Sequence, residues 1–194
     1  MTTCTWTRRE VRDVLVLSAL FTATGVFAGP NLLSNGSFEL PVLTPGTDYL
    51  VAPVGGSAIP GWAVVGAPGK NVAVIEALYN LPDAAGINFA AADGVQWIDM
   101  AGAGANATEG VLQSVSLVPG AYTLTFQIGN VVAAAAGLGT QSKTDLWING
   151  SFIQSFTNSA SGGGAVNWQA FSYTLAQAAL RRLSSGTLTA LPTT

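Results

Sequence analysis

From Tyr122 to Ile128 the chain alternates strictly: Tyr122, Leu124, Phe126 and Ile128 are apolar, and Thr123, Thr125 and Gln127 between them are polar. A period of two sends successive side chains to opposite faces, so this stretch is a strand with one buried face and not an amphipathic helix. The turn Val118-Pro119-Gly120 precedes it, and Val111 to Leu117 reads as a further strand before that turn. Leu146 to Phe156 reads as a hairpin folded at Asn149-Gly150, a pair that tolerates the positive φ angles of a tight two-residue turn. Val95 to Met100 and Trp168 to Leu175 read as two more strands. Gly94, Gly102, Gly104 and the run Gly162-Gly163-Gly164 punctuate between them. Many short strands with Gly/Pro turns and little helical periodicity predict an all-β fold, a sandwich or a barrel.

The ends depart from this pattern. Arg8, Arg9 and Arg12 precede an apolar run from Val14 to Phe27, and Val26-Phe27-Ala28 fits the small-residue rule for leader cleavage. Residues 1–28 therefore read as a bacterial signal peptide cut after Ala28, with secretion or periplasmic localisation as the expectation. Thr7-Arg8-Arg9 is an imperfect match to a twin-arginine signal. The sandwich domain is expected over residues 29–174. Residues 175–194 read as an atypical tail, helix-like or disordered, and hold the only arginines that follow the leader.

Four basic side chains oppose eight acidic ones after residue 28, a net charge of −4. So sparse and acidic a surface argues against nucleic acid, and no membrane insertion is expected once the leader is removed. Charged residues make up 9% of the chain, against roughly 25% in an average soluble domain. Ser, Thr, Asn, Gln and Gly must then supply the polar surface, which suits a neutral ligand. Cys4 is the only cysteine and there is no histidine. Ser-His-Asp and Cys-His catalysis and the usual zinc sites are therefore excluded.

Four stretches recur in an order that carries a resemblance. They are Asn31-Leu-Leu-Ser-Asn-Gly-Ser-Phe-Glu39, Ile59-Pro60-Gly61-Trp62, Asp93-Gly94-Val95-Gln96-Trp97-Ile98-Asp99, and Leu112-Gln113-Ser114-Val115 ahead of Val118-Pro119-Gly120. Over about residues 31–174 the chain resembles the exported galactose-binding-like domains of the "domain of unknown function 642" type, and its opening is similar to that of several carbohydrate-binding modules. The resemblance implies a jelly-roll β-sandwich, binding to cell-wall or extracellular polysaccharide, and no catalysis. It also implies a structural calcium ion at Glu39, although one carboxylate cannot supply the six to eight oxygens of such a site; the alternative is that Glu39 pairs with a backbone amide. Against the family pattern, the chain lacks a final acidic strand after Thr174, so its end reads as truncated or frame-shifted.

Sugar recognition needs flat aromatic faces and planar polar groups. Trp62, Trp97 and the loop cluster Tyr79, Asn80 and Asp83 are the candidates, and both tryptophans also read as core. A structural or surface-matrix protein making protein contacts is the alternative to a polysaccharide-binding module. A glycosidase pair is not marked: Asp93 and Asp99 lie six residues apart, and Glu76 and Glu109 stand alone.

Overall fold

Alternating sequence becomes alternating burial. The computed structural model describes residues 2–9, 29–45, 49–77, 79, 87, 89–102, 109–132, 140–160, 164–177 and 186–192. The described residues form eleven strands in chain order: β1 (Thr2–Arg9), β2 (Tyr49–Pro53), β3 (Ala63–Val65), β4 (Asn71–Glu76), β5 (Gln96–Asp99), β6 (Gly110–Val115), β7 (Gly120–Asn130), β8 (Ser142–Ile148), β9 (Ser151–Asn158), β10 (Asn167–Gln177) and β11 (Gly186–Pro192). No helix occurs among the described residues. A six-stranded sheet runs β10-β7-β1-β5-β4-β2 and a five-stranded sheet runs β3-β6-β11-β8-β9. Every pairing between them is antiparallel. The chain is a jelly-roll-type β-sandwich.

The main core lies between the sheets. Tyr122, Leu124, Phe126 and Ile128 of β7 enter it with Val72 and Val74 of β4, Ile98 of β5, Val111 and Val115 of β6, and Leu146 and Phe156 of the β8–β9 hairpin. Three phenylalanines interlock there: Phe126 meets Phe156 edge-on at 4.9 Å and stacks on Phe171 at 5.8 Å. Burying a side chain of this size contributes about 1.5–3 kcal/mol each. The opposite face of the six-stranded sheet carries a second, smaller cluster. Ala73 and Ile75 alternate with Val72 and Val74, and Trp97 alternates with Ile98, so they point outward and pack with Ile87, Phe89 and Val131.

The hairpin turns where the sequence predicts it. Asn149 and Gly150 both take positive φ, 52° and 75°, between β8 and β9. The tail requires a correction. Read as helix-like from Leu175, it continues β10 to Gln177, with Leu175 opposite Tyr122; residues 178–185, most of the helix-like stretch, lie outside the described residues, and Gly186–Pro192 forms β11 between β6 and β8. Sheet pairing overrides a helical pattern in a short segment that has a free ladder to join. At the other end, Val14 to Ala28 lies outside the described residues, and Arg8 and Arg9 close strand β1.

Candidate functional site

The four resembling stretches converge on one structural knot. Asn35 Nδ2 donates to the carbonyls of Leu40 (2.8 Å) and Pro60 (3.0 Å), and its Oδ1 accepts from the Leu40 amide. Trp62 Nε1 donates to the Asn35 carbonyl at 2.9 Å, and its ring lies 5.2 Å from that of fully buried Phe38. Gln113 accepts from the Ser34 amide and donates to the carbonyls of Ser34 and Gly61. Gln96 donates to the carbonyls of Phe38 and Pro41 and accepts from the Leu43 amide. Asn35 and Phe38 sit at φ 50° and 62°, a left-handed conformation that costs a non-glycine residue about 1–2 kcal/mol. The surrounding side-chain bonds hold them there.

Glu39 belongs to the same knot. Its Oε1 accepts from the amides of Val95 (3.0 Å) and Gln96 (2.9 Å), tying the opening loop to the start of β5. Gly94 lets it approach: at φ 67°, any Cβ there would collide with the Glu39 carboxylate. This role needs no metal. Among the described residues, no three Asp, Glu, His or Cys side chains gather as a metal site would require. Two N–H groups occupy Oε1, and among the described residues Glu39 has no second acid beside it to share a calcium ion.

The aromatic candidates are placed apart from any open face. Trp62 is buried in the main core and Trp97 is 1% exposed, so neither offers a ring to solvent. Trp97 Nε1 donates to the Phe89 carbonyl at 2.7 Å, and Trp168 Nε1 donates to the Ala90 carbonyl at 3.0 Å. Tyr79 is half-buried, tilted against Phe89 at 5.7 Å and edge-on to Tyr49 at 6.1 Å. These contacts pin a loop across the outer face of the six-stranded sheet. Asn80 and Asp83 lie outside the described residues.

Beside that loop opens a groove of about 480 Å³. Thr125, Phe126 and Gln127 of β7 and Ala170, Phe171 and Ser172 of β10 form one side. Ser37 and Asp93 stand with Ala92 on the other. The reason follows from the alternation: the polar half of β7 points away from the core, at registers opposite the small polar or apolar residues of β10. Asp93 is exposed and is the single charged residue among the described residues lining the groove. The groove went unseen in the sequence because its lining comes from four separated segments. The only trace was the Thr/Gln half of the 122–128 alternation.

The remaining acids stand elsewhere. Glu76 and Glu109 are 5% and 1% exposed and do not line the groove. Asp145 is buried on β8 and accepts a hydrogen bond from Ser155 Oγ. Asp99 accepts from the Ala101 amide at 2.9 Å, and burial pushes its carboxyl above the ordinary range.

No family model matches the chain, and no curated protein matches it in sequence. Solved structures do share its fold. A cyclase from Fischerella sp. TAU is 20% identical with a TM-score of 0.53, the alignment covering 83% of this chain and 86% of that one. A Stig cyclase from Fischerella sp. TAU, in complex with a substituted 3H-indole, is 20% identical with a TM-score of 0.51, covering 83% and 87%. A CBM4 structure is 15% identical with a TM-score of 0.34, covering 83% and 88%, too loose a superposition to carry an argument. The cyclases correct one expectation: this sandwich does not imply a protein without catalysis, because enzymes are built on it.

Proposed function

We propose that the chain is a secreted polysaccharide-binding domain whose ligand lies in the groove between Asp93 and the outer face of β7 and β10. The observation that carries this reading is the lining: Ser37, Thr125, Gln127 and Ser172 offer hydroxyl and amide groups, and Asp93 one carboxylate. Such a set donates and accepts toward sugar hydroxyls without asking the ligand for a charge. The low charge of the chain and its resemblance to carbohydrate-binding modules support the same reading.

A second reading is catalysis in this groove, favoured by the cyclases that share the fold and by the exposed carboxylate of Asp93, the one titratable group in the lining among the described residues. The lining is mixed: Phe126, Phe171, Ala92 and Ala170 stand among the polar groups, so an apolar ring would also find contacts there.

The test is retention of the purified chain on insoluble pectin, cellulose, xylan and chitin. Retention on one of them, reduced at least about tenfold by Gln127→Ala and by Asp93→Asn with an unchanged circular dichroism spectrum, is the expected result; each lost bond to a ligand hydroxyl accounts for about 0.5–1.5 kcal/mol. Equal retention of both variants would place the ligand elsewhere. Failure to bind any of the four would remove the carbohydrate reading.

A further inference from the structure

Strand β1 holds an unusual place. It lies in the middle of the six-stranded sheet, between β7 and β5, yet it is the first segment of the chain. Its pairing is one-sided. Eight consecutive registers join it to β7, from Thr2↔Ile128 to Arg9↔Ala121, whereas a single register, Thr2↔Ile98, joins it to β5. Without β1 the sheet falls into two parts, β10-β7 and β5-β4-β2, each presenting an unpaired ladder in the middle of the sandwich. Nineteen residues, 10–28, separate β1 from the next described segment. Backbone pairing along β7 is thus the main hold on this strand, and its removal would leave two unpaired ladders facing one gap.

We propose that the gap between β7 and β5 is a strand-acceptor slot, and that its occupant is the chain's own N-terminal segment, Thr2–Arg9. Recognition would be β-strand addition: main-chain hydrogen bonds supply affinity, and the alternation of side chains supplies register. The sequence of the segment, Thr-Thr-Cys-Thr-Trp-Thr, has that alternation and consists of strand-favouring residues. Cleavage after Ala28 would remove this occupant, so a processed chain would present the slot open. An open central ladder attracts another strand, as an exposed sheet edge does.

The slot also passes beneath the groove. Thr5 stands opposite Thr125 and Thr3 opposite Gln127. Asp93 lies just ahead of β5, on the far side of β1. The two walls of the groove therefore belong to the two parts that β1 joins. This coupling rests on the proposed polysaccharide reading; the slot itself does not.

The test uses the full chain and its only cysteine, Cys4, which stands opposite Phe126 in β1. Maleimide labelling of Cys4 should be at least about a hundredfold slower in the native chain than in concentrated urea. In Trp6→Pro, where proline removes a ladder N–H from a central strand, that protection should disappear. A fluorescein-labelled peptide with the sequence of residues 2–9 should then bind this variant and not the parent, whose own strand is present at a high effective concentration. Native labelling as fast as in urea overturns the proposal. So does a folded Trp6→Pro chain that takes up no peptide. If Trp6→Pro does not fold, it is refolded with and without the peptide: folding that the peptide restores supports the slot, and no difference between the two overturns it. A chain with protected Cys4 that binds no polysaccharide removes the groove reading and leaves the slot standing.

Discussion

Gln113 illustrates how much a single side chain holds here. Its amide bonds the Ser34 amide and the carbonyls of Ser34 and Gly61, closing two loops that lie 79 and 52 residues away in sequence. Gln113→Ala would remove three part-buried hydrogen bonds, and the expected loss in urea unfolding is about 1.5–3 kcal/mol, at about 0.5–1 kcal/mol for each. Glu39→Ala should cost about 1.5–3 kcal/mol, the worth of hydrogen bonds to a charged group. That loss should be the same with calcium and with chelator; a loss seen only in calcium would return the metal to Glu39. Asp99 provides a pH-dependent case. Burial raises its carboxyl above the ordinary range, so the folded chain holds the proton more tightly than the unfolded chain. Its contribution to stability is fully present below the unfolded value and is lost as pH rises through the raised one. Asp99→Asn keeps an acceptor for the Ala101 amide and removes the buried charge. It should raise the melting temperature at neutral pH and lose that advantage in acid; an unchanged melting curve at pH 7 would contradict the assignment.

Elements were legible where local pattern and tertiary place agree. The alternation of β7 and the Asn149-Gly150 hairpin read directly, because one buried face and one tight turn are written in consecutive residues. Gly150→Ala should cost about 1–2 kcal/mol for a left-handed alanine, measured by thermal unfolding, while register and fold persist. Strand β4 was missed since both its faces are buried: Val72 and Val74 in the main core, Ala73 and Ile75 under the loop of Tyr79 and Phe89. A strand covered on both sides loses its period of two. The tail misled for a related reason. The pattern from Leu175 has helical propensity, but Leu175 to Gln177 pair with β7, and residues 178–185 lie outside the described residues.

At the scale of the whole molecule, the fold was far more legible than the site. The recognisable motifs, from Asn35 and Phe38 to Gln96 and Gln113, are fasteners that hold loops between the two sheets. Their spacing specifies architecture, and they carried attention toward Trp62, Trp97 and Glu39, which serve the same purpose. The groove instead draws one or two ordinary polar residues from each of several segments, and no local pattern announces that. The shared fold of the Fischerella cyclases makes the same point: the sandwich is a scaffold that does not by itself fix a function. The most direct measurement is calorimetric titration of a soluble oligosaccharide, taken from whichever polysaccharide retains the chain, into the parent protein and into Ala170→Trp. Ala170 is exposed and lines the groove, so an indole there should fill the space without touching the core. The expected result is binding by the parent and at least about a hundredfold weaker binding by the variant, the equivalent of about 2.8 kcal/mol, at an unchanged melting temperature. Equal affinity in both proteins would contradict the assignment of the groove.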